Sequence, residues 1–196
     1  MPSPVGHALA GLAAGWAVAP PCGFARRGLR RGAVFALAAI LPDLDLLTSV
    51  HRGPTHGVGA AVLAGAVAWA WCAFAQSGTR SPRRPVVRGE GRARAGGPPW
   101  RFGLAVGAAW GTHTLLDWLG ADTSPPIGLM ALWPFSRGYY ASHLDLFLAV
   151  SRRYWRPDFL ALNLHAIARE IVLLAPLAAA VILFRGQSSG GSKPAP

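Results

Sequence analysis

The longest uncharged stretch of the chain most limits what it can fold into. Residues 57–75, GVGAAVLAGAVAWAWCAFA, contain no charged side chain. Their length is close to the ~20 residues that a helix needs to cross a bilayer. The whole chain is 52% hydrophobic and only 14% charged, with a mean hydropathy of +0.33. These values predict a membrane protein and exclude a largely disordered chain, which would have too little apolar surface to fold.

Shorter apolar stretches predict further helices. Residues 4–21 and 102–116 are almost free of charge, and residues 159–184 are mostly apolar. Pro176 is the expected position of a kink in the last stretch. The run 32–42 is too short to cross unless it tilts or continues into the segment that follows. We therefore predict an all-α protein, a multi-pass transmembrane helical bundle of four to five helices.

The chain is expected to form one domain with two irregular segments. A length of 196 residues fits a single membrane-embedded helical domain over residues 1–185. The segment near 76–101 is rich in Arg, Gly and Pro, which predicts a flexible loop. Residues 186–196, GQSSGGSKPAP, are polar and predict a disordered tail.

The formal net charge of +11 does not point to nucleic acid as the main partner. Of the 19 basic residues, 18 are Arg, and most lie between the apolar stretches rather than on one helix face. That distribution is typical of the loops of a membrane protein.

The basic residues are also divided unevenly between the two sides of an alternating topology. Thirteen lie in segments 21–31, 76–101 and 185–196, whereas five lie in segments 43–56 and 121–158. The positive-inside rule places the richer set in the cytoplasm. This arrangement requires residues 32–50 to cross the membrane and places the N-terminus outside.

Histidine and aspartate residues gather at the ends of the apolar stretches. Under the alternating topology they all fall at the same, non-cytoplasmic end of the bundle. They are His7, Asp43, Asp45, His51, His56, His113 and Asp117. Ionisable groups in membrane segments are costly and are therefore usually paired, solvated or functional.

One pair in this set has helical spacing. His113 and Asp117 are four residues apart and project from one face of a helix. Gly103, Gly107 and Gly111 form a ridge of small residues on a neighbouring face of the same helix. Such ridges allow a second helix to approach closely, so one face can pack while the other holds a site.

The residue types predict a divalent metal site. Four His and three Asp suffice for one or two ions with positions left open for water and substrate. Cys22 and Cys72 are too few for a thiolate cage, so zinc is the first expectation, ahead of manganese or magnesium. Two divalent ions and three carboxylates leave a charge of about +1, which favours an anionic phosphate group over a neutral peptide.

Each fragment alone also has a plain structural explanation. His7 alone is typical of an interfacial histidine, and the PDLD segment could supply a helix N-cap. Arg52 could contact a substrate phosphate or extend along the surface with its charge in water. The two histidines that bracket the Gly-Pro turn in HRGPTH are the more specific signal. The convergence of all the fragments at one end favours the metal site.

Four sequence blocks resemble, in their order and spacing, those of the membrane-bound metal-dependent hydrolases. The blocks are PDLD, HRGPTH, GTHTLLDWLG and GLMALWPF. These are also described as LexA-binding, inner-membrane-associated hydrolases. The resemblance covers roughly residues 4–140. The chain departs from the family pattern at two places. Gly57 replaces the usual Ser, which removes a hydroxyl near the site, and the insert ADTSPP precedes GLMALWPF.

That family is distantly similar to zinc-dependent phospholipases C and single-strand nucleases. The resemblance implies that His113 binds one metal and that Asp117 bridges two. It implies that Asp43 or Asp45, with His51 or His56, completes the set, and that His7 matches an N-terminal histidine of the family.

The resulting hypothesis is a metal-dependent hydrolase of the inner membrane that cleaves a phosphoester with metal-activated water. The substrate is expected to contain phosphate, either as a membrane lipid or linked to one. Asp45 is the expected base or orienting carboxylate, and Arg52 the expected phosphate contact. His143 and Asp145 are expected to lie outside the metal ligands or at the surface, and His165 outside the site.

Two alternatives remain open. A non-enzymatic membrane protein would use the metal to stabilise the bundle or to recruit a partner, and its site would be closed. A transporter would space polar residues through the depth of the membrane.

Overall fold

The computed structural model describes residues 1–19, 26–47, 51–78 and 97–187. Across these ranges the fold is all-helical, as predicted, with isolated bridges but no strand. Two short 3-10 segments, Leu41–Leu47 and Pro54–His56, lie between the second and third helices. The five helices are α1 Pro4–Val18, α2 Arg26–Ile40, α3 Val58–Gly78, α4 Pro99–Leu119 and α5 Phe159–Gln187.

Local sequence explains where several helices begin and end. Ser3 is the N-cap of α1, and its hydroxyl accepts a hydrogen bond from the Gly6 amide at 3.3 Å. Pro4 and Pro99 occupy first helical positions, where a missing N–H costs nothing. Gly120 follows the last residue of α4 as its C-cap.

Small residues let neighbouring helices approach closely. A Cβ on Gly103 of α4 would lie 2.6 Å from the Cβ of Trp69 and 2.7 Å from the Gly65 carbonyl of α3. The glycine ridge predicted on α4 therefore packs against α3. Gly111 is the exception, because a Cβ there would only touch Ala61 at 4.0 Å. In the same way, Gly15 of α1 packs directly on the ring of Phe35 in α2.

Two helices are long and apolar enough to cross a membrane, over Val58–Ser77 and Phe159–Arg185. The α3 span is hardly buried by the rest of the protein; Val62, Trp71 and Phe74 are each more than 70% exposed. A lipid environment accounts for so much uncovered apolar surface. Pro4–Val18 is a shorter apolar helix, and α2 and α4 do not meet the same test. The full number of crossings therefore stays a prediction.

The helix boundaries differ from the expected ones. α3 continues through Gly78 and α4 begins at Pro99, so both ends of the expected loop near 76–101 are helical. The remainder of that loop lies outside the described residues. α5 runs through Gln187, two residues into the expected tail, and the rest of the tail also lies outside the described part.

A buried carboxylate joins the middle of α5 to the start of α1. Glu170 is fully buried and accepts hydrogen bonds from the Ser3 amide at 2.6 Å, the Gly6 amide at 3.1 Å and the Ser3 hydroxyl. A helix N-terminus presents unpaired N–H groups and favours negative charge. This contact accounts for the acidic residue inside a mostly apolar helix and fixes the end of α1 that carries His7.

Candidate metal centre

A fully buried group of three residues forms where α1 and α4 meet. His7 lies in the first turn of α1, and His113 and Asp117 lie in the last two turns of α4. The Nε2 atoms of both histidines lie 3.4 Å from an oxygen of Asp117, His7 from Oδ1 and His113 from Oδ2. Their two rings stack with centroids 3.9 Å apart. All three residues are buried, and the two histidines have no exposed surface.

A second group, more open to solvent, adjoins the first. Asp43 lies in the 3-10 segment after α2, and His56 ends the short segment before α3. His56 Nε2 lies 3.4 Å from Asp117 Oδ2 and 3.9 Å from Asp43 Oδ1. Asp43 Oδ1 also lies 3.8 Å from His113 Nε2. Asp43 and His56 form a possible metal-holding set with His51, as His7 does with His113 and Asp117.

Four helix ends meet at this centre because successive helices run in opposite directions. The centre lies at the start of α1 and α3 and at the end of α2 and α4. The sequence predicted this convergence at one end of the bundle, and the structure confirms it. Which side of the membrane this end faces stays a prediction.

Six buried polar atoms at the centre have no hydrogen-bond partner, which is unusual for a protein interior. They are His7 Nδ1 and Nε2, His56 Nε2, His113 Nε2, Asp117 Oδ1 and Asp117 Oδ2. Four tetrahedral ligands at zinc–nitrogen distances of ~2.0–2.1 Å lie ~3.4 Å from one another. The 3.4 Å separations around Asp117 match that spacing. The residues present therefore fit a divalent cation.

Other polar groups hold the histidines so that Nε2 faces the centre. His113 Nδ1 lies 2.8 Å from the Ala39 carbonyl, and His56 Nδ1 lies 3.1 Å from Asp45 Oδ2. The Thr114 hydroxyl donates to the His56 carbonyl at 2.7 Å. A partner on one ring nitrogen sets the tautomer and orientation of a metal-binding histidine.

Asp45 lies beside the unpartnered atoms rather than among them. Its Oδ1 contacts His51 Nδ1 at 2.6 Å, and its Oδ2 accepts from the Thr55 hydroxyl at 2.7 Å and the Arg52 amide at 3.1 Å. Burial would raise the pKa of Asp45, but hydrogen bonds to His56 and His51 hold it well below its usual range. This arrangement favours the orienting role over direct ligation.

The electrostatics of the outer group favour positive charge. Burial would lower the pKa of His56, but hydrogen bonds with Asp43 and Asp45 raise it to about 9. Burial would raise the pKa of Asp43, whose side chain is 16% exposed, but His56, His113 and His7 together lower it. The same carboxylates that stabilise a proton on His56 would stabilise a metal ion in its place.

Arg52 is a buried structural arginine as well as a predicted phosphate contact. It is only 8% exposed, so the alternative of a surface side chain with its charge in water is wrong. Its guanidinium pairs with Asp122 and donates to the carbonyls of Ser124 and Pro126, each at 3.2 Å. A role toward substrate stays a prediction.

Three residues that support the site were not predicted from the sequence. Asp122 lies in the ADTSPP insert; it binds Arg52 and accepts from the Gly128 amide at 2.7 Å. Thr55 bonds Asp45, and the Arg152 guanidinium lies 3.3 Å from His51 Nε2. Thr55 lies inside HRGPTH, so its position in the motif was the available signal. No signal in the sequence pairs residues 52 and 122.

The three residues expected outside the metal ligands are exposed in the structure. His143 and Asp145 are exposed in the segment between α4 and α5. His165 is exposed on α5. None of the three takes part in the two groups at the centre.

The sequence profile of the YdjM inner membrane protein family matches residues 1–190. The chain belongs to this family. The match confirms the inner-membrane part of the resemblance found in the sequence, and hydrolase activity is not part of the family description. No curated protein and no solved structure matches this YdjM-family chain.

Proposed function

We propose that this YdjM-family protein is a metal-dependent hydrolase of the inner membrane that cleaves a phosphoester. One observation carries the proposal: buried, unpartnered atoms of His7, His56, His113 and Asp117 converge on one point. Leaving such atoms unpaired costs about 1–3 kcal/mol each. A metal ion that binds them all removes this cost.

The donor set and its charge indicate the reaction class. Nitrogen and oxygen donors without thiolate suit zinc or a harder divalent ion. When bound, such ions supply Lewis acidity, which polarises a phosphoryl group and makes water a better nucleophile at neutral pH. Asp43, Asp45 and Asp117 leave a pair of divalent ions with a net charge of about +1, which attracts an anionic substrate.

The two groups differ in how a substrate could reach them. His7, His113 and Asp117 are enclosed, whereas the side chains of His51 and Asp43 are 20% and 16% exposed. A substrate therefore approaches from the side of His51 and Asp43. Asp45 holds the rings of His51 and His56 in place there. An open side is what a catalytic metal site requires.

The enclosure of His7, His113 and Asp117 favours a second candidate, a metal that only stabilises the bundle. A structural metal would be bound and yet support no hydrolysis. The distribution of buried charge favours either candidate over a transporter. Among the described residues, the buried ionisable side chains lie at the centre or, like Arg52 and Glu170, beside it.

The experiment measures metal content and phosphodiester hydrolysis of the detergent-purified protein. We expect about one or two divalent ions per chain, by analogy with known multinuclear His/Asp sites. The double variant His113→Ala/Asp117→Ala should lose both metal and activity, and Asp117→Asn should lose metal with little change in shape. His165→Ala is the matched control, because this exposed histidine lies outside the centre.

The outcomes separate the candidates. Full metal content and activity in a folded His113→Ala/Asp117→Ala protein would show that the proposed site is wrong. A second outcome would support the structural metal instead. In that case the variant loses its metal, but the wild type hydrolyses none of the tested phosphomonoesters or phosphodiesters.

A further inference from the structure

A cavity of about 880 Å³ adjoins the metal centre on its open side. His51 lies between this cavity and the metal centre. Its Nδ1 contacts Asp45 at 2.6 Å, and its Nε2 lies in the cavity wall, 3.3 Å from the Arg152 guanidinium. A ligand in this cavity lies next to the proposed site.

The wall of the cavity is strongly basic. Four arginines line it: Arg52, Arg152, Arg153 and Arg156. Arg52 is neutralised by Asp122, and Arg156 by Asp158 at 2.7 Å.

Two of the four arginines keep their charge available. Within the described ranges, neither Arg152 nor Arg153 has a carboxylate at ion-pair distance, and both side chains are exposed. Asp45, the carboxylate that His51 contacts, is occupied by His51, His56 and Thr55. The wall therefore presents two uncompensated positive charges. Guanidinium groups are well suited to phosphate, because they form paired hydrogen bonds to two oxygens.

The surroundings of the cavity place it at the level of lipid headgroups. Tyr154 and Trp155 are 77% and 69% exposed within the same segment. Aromatic residues of this kind concentrate at membrane–water interfaces. The candidate span of α5 begins at Phe159, and Leu162 from its first turn lines the cavity. The cavity thus combines a basic wall with an apolar side that continues along a membrane helix.

We propose that Arg152 and Arg153 bind the phosphate of an anionic membrane lipid and hold it beside His51. The claim that this phosphate is then cleaved rests on the proposed function, whereas its binding does not. A lipid phosphate fits both parts of the cavity, with oxygens on the arginines and the attached chains along α5.

The test measures lipid binding without metal. Detergent-purified protein is stripped with a chelator, and native mass spectrometry records binding of dihexanoyl phosphatidic acid, dihexanoyl phosphatidylcholine and inorganic phosphate. We expect phosphatidic acid to bind best. Arg152→Gln/Arg153→Gln should weaken its binding by roughly tenfold or more, because charge-assisted hydrogen bonds are lost.

A matched control removes the same charge elsewhere. Arg30→Gln/Arg31→Gln lies near the start of α2, at the opposite end of that helix from the centre. It should bind phosphatidic acid like the wild type. Equal weakening by both double variants would mean general charge attraction and overturn the proposal, as would unchanged binding in Arg152→Gln/Arg153→Gln.

Further outcomes identify the source of the phosphate and separate the two proposals. If inorganic phosphate binds as tightly as phosphatidic acid, the lipid assignment is overturned. Metal content of Arg152→Gln/Arg153→Gln is measured in parallel, because Arg152 contacts His51, a member of the second metal-holding group. Loss of lipid binding with retained metal supports the cavity assignment even if the protein hydrolyses nothing.

Discussion

Among single residues, the surroundings of Gly57 explain why this chain has glycine where the hydrolases that it resembles usually have serine. A Cβ at this position would lie 2.8 Å from the Met130 carbonyl oxygen and 2.8 Å from the Trp133 Cβ. These atoms belong to the GLMALWPF segment, which also accepts the Val58 amide at 2.9 Å through the Ala131 carbonyl. The segment therefore packs tightly against the turn that carries His56, and it leaves no space for a serine side chain at position 57.

We predict that Gly57→Ser destabilises the protein by about 1–3 kcal/mol, the usual cost of overpacking. Backbone and Cβ atoms must move, so a flexible side chain cannot absorb the change. Thermal unfolding in detergent measures the effect. Gly111→Ala is the control, because its new methyl group would meet only Ala61 at 4.0 Å. A Gly57→Ser protein as stable as the wild type would contradict this packing.

Asp45 provides a second test at this scale, because it was predicted as a ligand and lies where it can orient ligands. Asparagine at this position keeps the shape but cannot accept from His51, His56, Thr55 and the Arg52 amide together. We expect Asp45→Asn to lower metal affinity 10–100-fold, as is typical for an orienting partner.

The measurement is a titration against a chelator of known affinity. Asp117→Asn should abolish binding in the same assay, and Asp145→Asn, at an exposed position, should leave it unchanged. Equal losses in Asp45→Asn and Asp117→Asn would assign Asp45 to the metal ligands instead.

The candidate site could be predicted from short-range patterns because its residues occur in short blocks. The spacing of His113 and Asp117 fixes a shared helix face, and HRGPTH fixes a turn before α3. The partners of these blocks are different. Asp122 reaches Arg52 across 70 positions of the chain, and Glu170 reaches Ser3 across 167. Pairs so far apart depend on the tertiary packing of helices, which periodicity does not encode.

At the scale of helices, one carboxylate fixes the relation between α5 and α1. Glu170 accepts three hydrogen bonds at the start of α1, one turn from His7. A Cβ on Gly6 would lie 2.7 Å from Glu170 Oε2, so a larger residue there would displace the carboxylate from this position. Short-range sequence patterns give no indication of what this glutamate binds.

We predict that Glu170→Gln destabilises the bundle by about 1–3 kcal/mol, because an amide group would face backbone donors. Metal binding should also weaken, since α1 carries His7. Unfolding temperature and metal content are measured together. The adjacent Arg169 is exposed, so Arg169→Gln should not lower the unfolding temperature. A stable Glu170→Gln protein with full metal content would show that this cap does not position α1.

Considered together, successive helices run in opposite directions, which brings the polar site residues to one end and leaves apolar helix faces exposed. α3 shows this most clearly, since it begins beside His56 and exposes Val62, Leu63 and Val67 along its length. The apolar runs predicted the helices, because length and hydropathy suffice for that. They did not predict the ends of α3 and α4, because backbone hydrogen bonding continues into polar residues beyond the apolar run.

The distribution of basic residues predicts which end of the molecule faces the cytoplasm. Ser77 lies near the end of α3, ~30 Å from its start at 1.5 Å per residue. Ser136 lies close to the metal-centre end, because its segment binds the start of α3 through Ala131 and Trp133. In a Cys22→Ser/Cys72→Ser background, we expect Ser77→Cys to react with an impermeant maleimide only in inverted vesicles. Ser136→Cys should react only in spheroplasts.

The physical reason is the excess of basic residues, thirteen against five, in the segments assigned to the side of Ser77. Labelling of both cysteines from one side would contradict a crossing by α3. Labelling on exchanged sides would keep the crossing but place the metal centre at the cytoplasmic face. Lipid phosphate would then reach the arginine wall from the inner leaflet, so this measurement also determines which leaflet supplies the cavity.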